Sequence, residues 1–239
     1  SSRLMGKPLI DLNGVPMVIR TYRQCLKATP SKLIYIATDN HLIRNVCLKE
    51  GAQVIMTSSR CLTGTDRVAE VSLKIDAKTY INVQGDEPMT HPKMINEALQ
   101  PMIEDKKIVV TNLLGQINGN DEFENRNCIK VVCDLQSNAL FFSREPIPTR
   151  FKSNKVPFGK QVCIIPFRRD FLLEYTQMQP TPLEIVESID MLRILEHGMK
   201  VKLVPTQYNT HSVDTETDRQ HVEKLLANDP VTSLYCDQN

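Results

Sequence analysis

The chain has 239 residues, with 29 Lys plus Arg against 28 Asp plus Glu and a formal charge of +1. Apolar residues make up 41% and charged residues 24%, the balance of a soluble globular protein long enough to bury a substantial core. The near-neutral charge excludes a binder of nucleic acid or other polyanions that works through bulk positive charge, and no apolar run reaches the roughly 18 residues of a membrane span.

In chain order, short β-rich runs alternate with amphipathic stretches. A helix begins near Pro16. KLIYIAT (32–38) reads as a strand, NHLIRNVCLKEG (40–51) as a helix closed by Gly51, and AQVIMT (52–57) as the next strand. TDRVAEVSLKI (65–75) carries apolar residues at 68, 71 and 75 and reads as a helix. TYINVQ (79–84) is a strand ending at a polar GDEP turn. HPKMINEALQPMIED (91–105) is a helix with Pro near its start, and IVVTNLL (108–114) a further strand. This alternation predicts an α/β fold with a mostly parallel central sheet.

From about residue 120 the rhythm changes. IKVVCD (129–134) and NALFFS (138–143) read as a hairpin-like pair, REPIPTRFKSNKVPFGK (144–160) as a loop, and QVCIIPF (161–167) as a strand. PLEIVESIDMLRILEHG (182–198) reads as one long helix stopped by Gly198, and VKLVP (201–205) as a strand. DTETDRQHVEKLLAND (214–229) is a helix opened by Asp214. We expect a single domain over 1–239 with a β-rich part near 120–165.

The seven cysteines are odd in number and show no C-x-x-C spacing, and several lie inside apolar runs. Free, mostly buried thiols in a reducing cytoplasm are expected. No basic-then-apolar leader opens the chain. The five His show no ligand spacing relative to the Cys, which argues against zinc.

With so little net charge, an anionic ligand must be met by a local cluster, and four stretches offer chemistry. In SSRLMGKPL, Gly6 lets the backbone approach a ligand, while Arg3 and Lys7 supply charge for phosphates; alone, this is also a solvated basic terminus. In Val83-Gln84-Gly85-Asp86-Glu87-Pro88, an acidic residue just past a strand end lies where open α/β sheets place ligands. Asp86 has the chemistry to hold Mg²⁺; the alternative is a surface turn. Asp214 in SVDT is either a second metal carboxylate or an ordinary helix cap. Thr63, Gly64 and Arg67, in TGTDR, either cradle a nucleotide or simply cap a helix.

Together SSRLMGKPL, IATD, TGTDR, NVQGDEP, ALFFSREPIP, PLE…LRILEHG and SVDT, in this order and spacing, resemble the 3-deoxy-manno-octulosonate cytidylyltransferase family of the sugar nucleotidyltransferase superfamily. The resemblance runs from Ser1 to about Leu226, and RLMGKPL, TGTDR and VQGDEP are its most specific motifs. It implies a three-layer, Rossmann-like nucleotidyltransferase fold with a mixed, mostly parallel central sheet, a smaller β-rich dimerisation part, and a homodimer. It implies Mg²⁺-dependent transfer of CMP from CTP to the anomeric hydroxyl of a 2-keto-3-deoxy sugar acid such as Kdo. Arg3 and Lys7 match the family's phosphate-loop residues, and Asp86 and Asp214 its metal carboxylates. Thr63, Gly64 and Arg67 match the loop at the base, and Gln84 lies between nucleotide and sugar. Arg144, Lys160 and Glu187 are the residues it points to on the acid-substrate side.

Two departures stand out. The family's first strand and I-P-A-R turn would precede Ser1, so a chain missing its start is expected. Where the family carries H-x-G-x-Y-x-Y, this chain has Lys160 to Phe167, and the family's L-E-Q-L-R is Ile189-Asp190-Met191-Leu192-Arg193. A pocket that hydrogen-bonds a substrate hydroxyl rejects analogues lacking it, so these changes point to a different sugar acid, to a phosphonate, or to drift with Kdo retained. A non-catalytic nucleotide-binding relative is the reading from another class. Glu184, Glu187 and Asp190, three apart, would share one helix face.

Overall fold

The structure, a computed structural model, describes residues 6–153 and 158–236. In chain order the strands and helices are β1 (Asp11–Leu12), β2 (Val15–Pro16), α1 (Met17–Leu26), β3 (Tyr35–Thr38), α2 (His41–Lys49), β4 (Gln53–Met56) and α3 (Gly64–Ser72). Next come β5 (Thr79–Val83), α4 (Pro92–Glu104), β6 (Thr111–Gly115), α5 (Gly119–Glu124), β7 (Lys130–Cys133), β8 (Ala139–Ser143), β9 (Phe158–Val162) and β10 (Ile164–Arg168). The chain continues through α6 (Arg169–Tyr175), α7 (Pro182–Glu187), α8 (Met191–Glu196), β11 (Lys202–Pro205), α9 (Glu216–Leu226) and α10 (Pro230–Cys236). The architecture is mixed α/β, as the alternation of patterns predicted.

The chain forms two compact units. One is built from the described residues of Ser1–Val71, Val83–Asn96 and Thr210–Asn239, the other from Ser72–Asn82 and Glu97–Asn209. In the first unit β3 and β4 pair in parallel, Tyr35 opposite Gln53 through Thr38 opposite Met56, with α2 as the crossover. Asn40 caps α2 by accepting from the Leu42 and Ile43 amides. An apolar cluster of Val18, Ile19, Tyr22, Cys47 and Ala52 joins α1 to this β-α-β unit, with Ile36, Val46 and Val54 packed on it. A second cluster joins Leu12, Met17, Val213, Val222 and Leu226. Asn13 and Gly14, both at positive φ, turn the β1–β2 hairpin, an Asn-Gly signal that the periodicity reading passed over. The buried Arg20 clamps that hairpin by donating to the carbonyls of Leu12 (2.7 Å) and Asn13 (3.0 Å).

In the second unit five strands form one sheet in the order β11-β6-β9-β7-β8. β11 and β6 are parallel, whereas β6/β9, β9/β7 and β7/β8 are antiparallel. Residues 130–143 are thus the hairpin expected from IKVVCD and NALFFS. Three local expectations are corrected. The loop expected over 144–160 ends earlier, because Phe158-Gly159-Lys160 already belongs to β9, filling the gap between β6 and β7. The single strand expected over 161–167 is two, β9 and β10, parted at Cys163.

The long helix expected over 182–198 is also two, α7 and α8. The chain breaks at Ser188, which takes a left-handed conformation (φ 53°). Arg144 gathers the carbonyls this break releases, its Nε bonding Glu187 O (2.6 Å) and its Nη2 bonding Ser188 O (3.2 Å). With the helix broken, Glu184, Glu187 and Asp190 do not form one stripe. Glu184 is buried and paired with Arg193 at 2.6 Å.

Candidate active site

Lys7 is delivered by a short turn. Gly6 sits at φ 66°, a left-handed conformation that costs glycine nothing, and opens the 3₁₀ turn Lys7–Leu9. The Leu9 amide closes that turn onto Gly6 O at 2.8 Å. The Lys7 ammonium bonds the Asp86 carboxylate at 2.6 Å and the Asp214 carboxylate at 2.8 Å. Residues separated by 79 and by 207 positions therefore meet at one nitrogen. All three side chains keep partial exposure, 24% for Lys7, 26% for Asp86 and 36% for Asp214. Burial works against the charge on Lys7, but the two carboxylates outweigh it and hold the ammonium pKa above its ordinary value.

Asp86 lies three residues past the end of β5, in the Gln84–Glu87 turn closed by the Glu87 amide on Gln84 O (3.1 Å). Asp214 is not the cap of α9, contrary to the expectation that it opens that helix. Thr215 is the cap, in a reciprocal box with Asp218: the Asp218 amide donates to Thr215 Oγ1 (3.2 Å), and the Thr215 amide to Asp218 Oδ2 (2.8 Å). That leaves the Asp214 carboxylate to face Lys7.

The two carboxylates pass the test for a shared divalent cation. Each places an oxygen within hydrogen-bond reach of one cationic atom, and the donor set is hard oxygen, which Mg²⁺ prefers in ones and twos beside phosphate. Among the described residues no group of three or more His, Cys, Asp or Glu converges for a metal held by protein alone. The pair suits an ion that arrives with phosphate oxygens.

A second cluster of the same unit surrounds Arg67. Thr63 caps α3, its hydroxyl accepting from the Asp66 amide (3.1 Å) while Asp66 accepts from the Thr63 amide (3.0 Å). The capping reading of TGTDR is therefore realised locally, with Gly64 exposed as the first helical residue. Arg67 Nη1 bonds Thr57 Oγ1, just past β4, and Nη2 lies 3.4 Å from Asp39, just past β3. Arg67 thus spans the carboxyl ends of two parallel strands, where α/β sheets bind ligands. Asp39 was legible only as part of the IATD motif. Arg3 lies outside the described residues.

Arg144, Glu187 and Lys160 belong to the second unit. Glu187 accepts from Ser143 Oγ (2.7 Å) and the Arg144 amide (2.8 Å). Lys130, fully buried, donates to the carbonyls of Asn125, Cys128 and Arg144 at 2.6–2.9 Å, and burial lowers its pKa. Arg144 is held from three sides, its Nη1 donating to Arg126 O as well. Lys160, 8% exposed at its side chain, is ion-paired with Glu122. Beyond it, Ile164, Ile165 and Phe167 are wholly buried core.

The chain is similar to known proteins over nearly its whole length. A family model described as cytidylyltransferase matches residues 1–201. The chain is 40% identical to the 3-deoxy-manno-octulosonate cytidylyltransferase of Geotalea uraniireducens, covering 95% of this chain and 94% of that protein. It is 39% identical to the protein of the same name from Fusobacterium nucleatum, over 93% and 91%. A solved structure of CMP:2-keto-3-deoxy-manno-octonic acid synthetase complexed with CTP superposes with a TM-score of 0.86 at 35% identity, over 95% of this chain and 94% of that one.

Proposed function

The chain belongs to the 3-deoxy-manno-octulosonate cytidylyltransferase family, and from that premise we propose that it transfers CMP from CTP to the anomeric hydroxyl of a 2-keto-3-deoxy sugar acid, releasing pyrophosphate. The observation that carries the reading is the convergence of Asp86 and Asp214 on Lys7. In the reaction the anomeric oxygen attacks the α-phosphorus in line, a P–O bond to the sugar forms, and the bond to the pyrophosphate oxygen breaks. The problem is crowded negative charge, and the residues of the first unit answer it. Lys7 supplies a fixed cation for the triphosphate, a contact worth on the order of 2–4 kcal/mol in the transition state. Arg3 is assigned to the same triphosphate. Asp86 and Asp214 would hold Mg²⁺, which would supply positive charge against the phosphates and make the attacking hydroxyl more acidic. Thr63, Gly64 and Arg67 are assigned to the base side and Gln84 to the junction of nucleotide and sugar.

On the acceptor side we assign Arg144 and Glu187, with Lys160. A carboxylate reaching Lys160 would compete with Glu122 for its charge. The residue types of the run 160–167 support a second reading of the acceptor. This run offers apolar side chains where the family offers His and Tyr, so a different sugar acid or a phosphonate is the alternative to Kdo. We place the reaction in the cytoplasm and in a homodimer. Cys25, Cys47, Cys61 and Cys128 form no disulfide, which suits a reducing compartment.

The test is pyrophosphate release with CTP, Mg²⁺ and a panel of acids. Turnover with Kdo, reduced by about 10² or more in Asp86→Ala, is the expected outcome. Mg²⁺-dependent CTP binding without turnover on Kdo moves the assignment to the other acids of the panel. Absence of CTP binding selects a non-catalytic relative.

A further inference from the structure

Asp86 and Asp214 sit on loops more than a hundred residues apart in sequence, yet their carboxylates must hold one separation to share a cation. The structure ties these loops together at points that touch no candidate ligand atom. Glu87, next to Asp86, is 5% exposed, and its carboxylate accepts a hydrogen bond from the hydroxyl of Thr210, also 5% exposed. A buried carboxylate is costly unless it is hydrogen-bonded, so this contact is strongly favoured once the loop is folded. The Val213 amide donates to Asp86 O at 3.2 Å. The Val213 side chain is fully buried with Leu12, Met17, Val222 and Leu226, and Met89 packs on the same cluster.

Glu87 is itself held. Its carbonyl accepts from both the amide (3.1 Å) and the hydroxyl (2.9 Å) of Thr90. On the other side of Asp86, Gly85 O accepts from Thr21 Oγ1 of α1 at 3.1 Å. The backbone on either side of Asp86 is thus anchored, and the Glu87–Thr210 bond joins that anchored loop to the segment leading into Asp214.

We infer that the Glu87–Thr210 hydrogen bond is a strap that sets the spacing of the Asp86 and Asp214 carboxylates, making Glu87 and Thr210 positioning residues for divalent-cation binding. The inference rests on the reading of Asp86 and Asp214 as the metal carboxylates. Groups that orient metal ligands from behind commonly govern 10–100-fold in metal affinity.

The test uses the full chain and Mn²⁺ as the probe. Thr210→Val removes the hydroxyl at nearly constant shape, and Thr210→Ser keeps it. Two quantities are measured: Mn²⁺ affinity in the presence of CTP without sugar acid, by electron paramagnetic resonance of the free ion, and hydrogen exchange at the Val213 amide. In Thr210→Val, Mn²⁺ binding weakens about tenfold or more and Val213 exchange speeds up relative to amides within α1, while Thr210→Ser restores both. A folded Thr210→Val with parental Mn²⁺ affinity overturns the strap, whatever its Val213 exchange. Thr210→Ala serves the same comparison if the valine variant does not fold. Asp86→Asn and Asp214→Asn separate the two readings. If they weaken Mn²⁺ binding and Thr210→Val does not, the strap alone falls. If neither weakens it, the metal assignment falls and the strap's bearing on the cation falls with it.

Discussion

Lys7 shares its ammonium between two carboxylates, and the sign of its pKa shift makes it a pH-dependent contributor to stability. The folded state binds this proton more tightly than the unfolded chain. Its contribution is therefore complete below the ordinary lysine value of 10.5 and is lost as pH rises through the higher folded value. In Lys7→Met, urea unfolding at pH 8 should show a loss of about 1–2 kcal/mol, the scale of hydrogen bonds to charged groups. The gap between variant and parent should close above pH 10.5, and a gap that stays constant across that range contradicts the assignment. At the residue scale the sequence indicated Lys7, Asp86 and Asp214 by type and motif. It left open whether Asp214 was a helix cap or a metal carboxylate, and the fold decides by giving the cap to Thr215.

The elements show where periodicity is informative. α2 and α4 match their expected spans to within two residues, since each repeats its apolar positions at helical spacing over several turns. The segment over 182–196 keeps helical spacing too, yet it breaks at Ser188, where Arg144 supplies partners for released carbonyls. That partner lies 44 positions away and leaves no mark on the local pattern. β9 shows the reverse, a strand hidden in a Pro- and Lys-rich stretch by the glycine it needs. A Cβ on Gly159 would stand 2.4 Å from Gly115 O and 2.7 Å from Leu114 Cδ1. Gly159→Ala is expected to lower stability by about 1–3 kcal/mol, the cost of overpacking against backbone, read as a lower midpoint in denaturant unfolding. An unchanged midpoint would mean that β9 does not lie this close to β6.

At the scale of the whole molecule, the near-neutral composition is met by local charge. In the first unit, Lys7 stands between two carboxylates and Arg67 between a carboxylate and a hydroxyl. Cys25 and Cys47 are buried as expected, whereas Cys61, Cys128, Cys133 and Cys163, two of them in the apolar runs that suggested burial, stay half-buried. Burial pushes Cys25 up to about 12, and Cys47 and Cys128 up to about 11, the last two with acidic neighbours adding to it. Iodoacetamide at pH 8 should leave these three unmodified in the native protein and label them after denaturation, as mapped by peptide mass spectrometry. Fast native labelling of Cys25 would show that its helix opens readily.

The alternation of strand and helix, the hairpin over 130–143 and the motifs of a cytidylyltransferase were legible in the sequence alone. Each is written in neighbouring residues: a period of two or 3.6, a turn dipeptide, a run of fixed types. The convergence of Asp86 and Asp214 on Lys7, the Glu87–Thr210 strap, the break at Ser188 and the burial of Lys130 and Lys160 were decided only by the tertiary structure. Each depends on a partner between 14 and 207 positions away or on the exclusion of water from a site that several elements build together. A local pattern says which face of an element is apolar, whereas the partner that a buried charge finds across that face is set by how the elements pack.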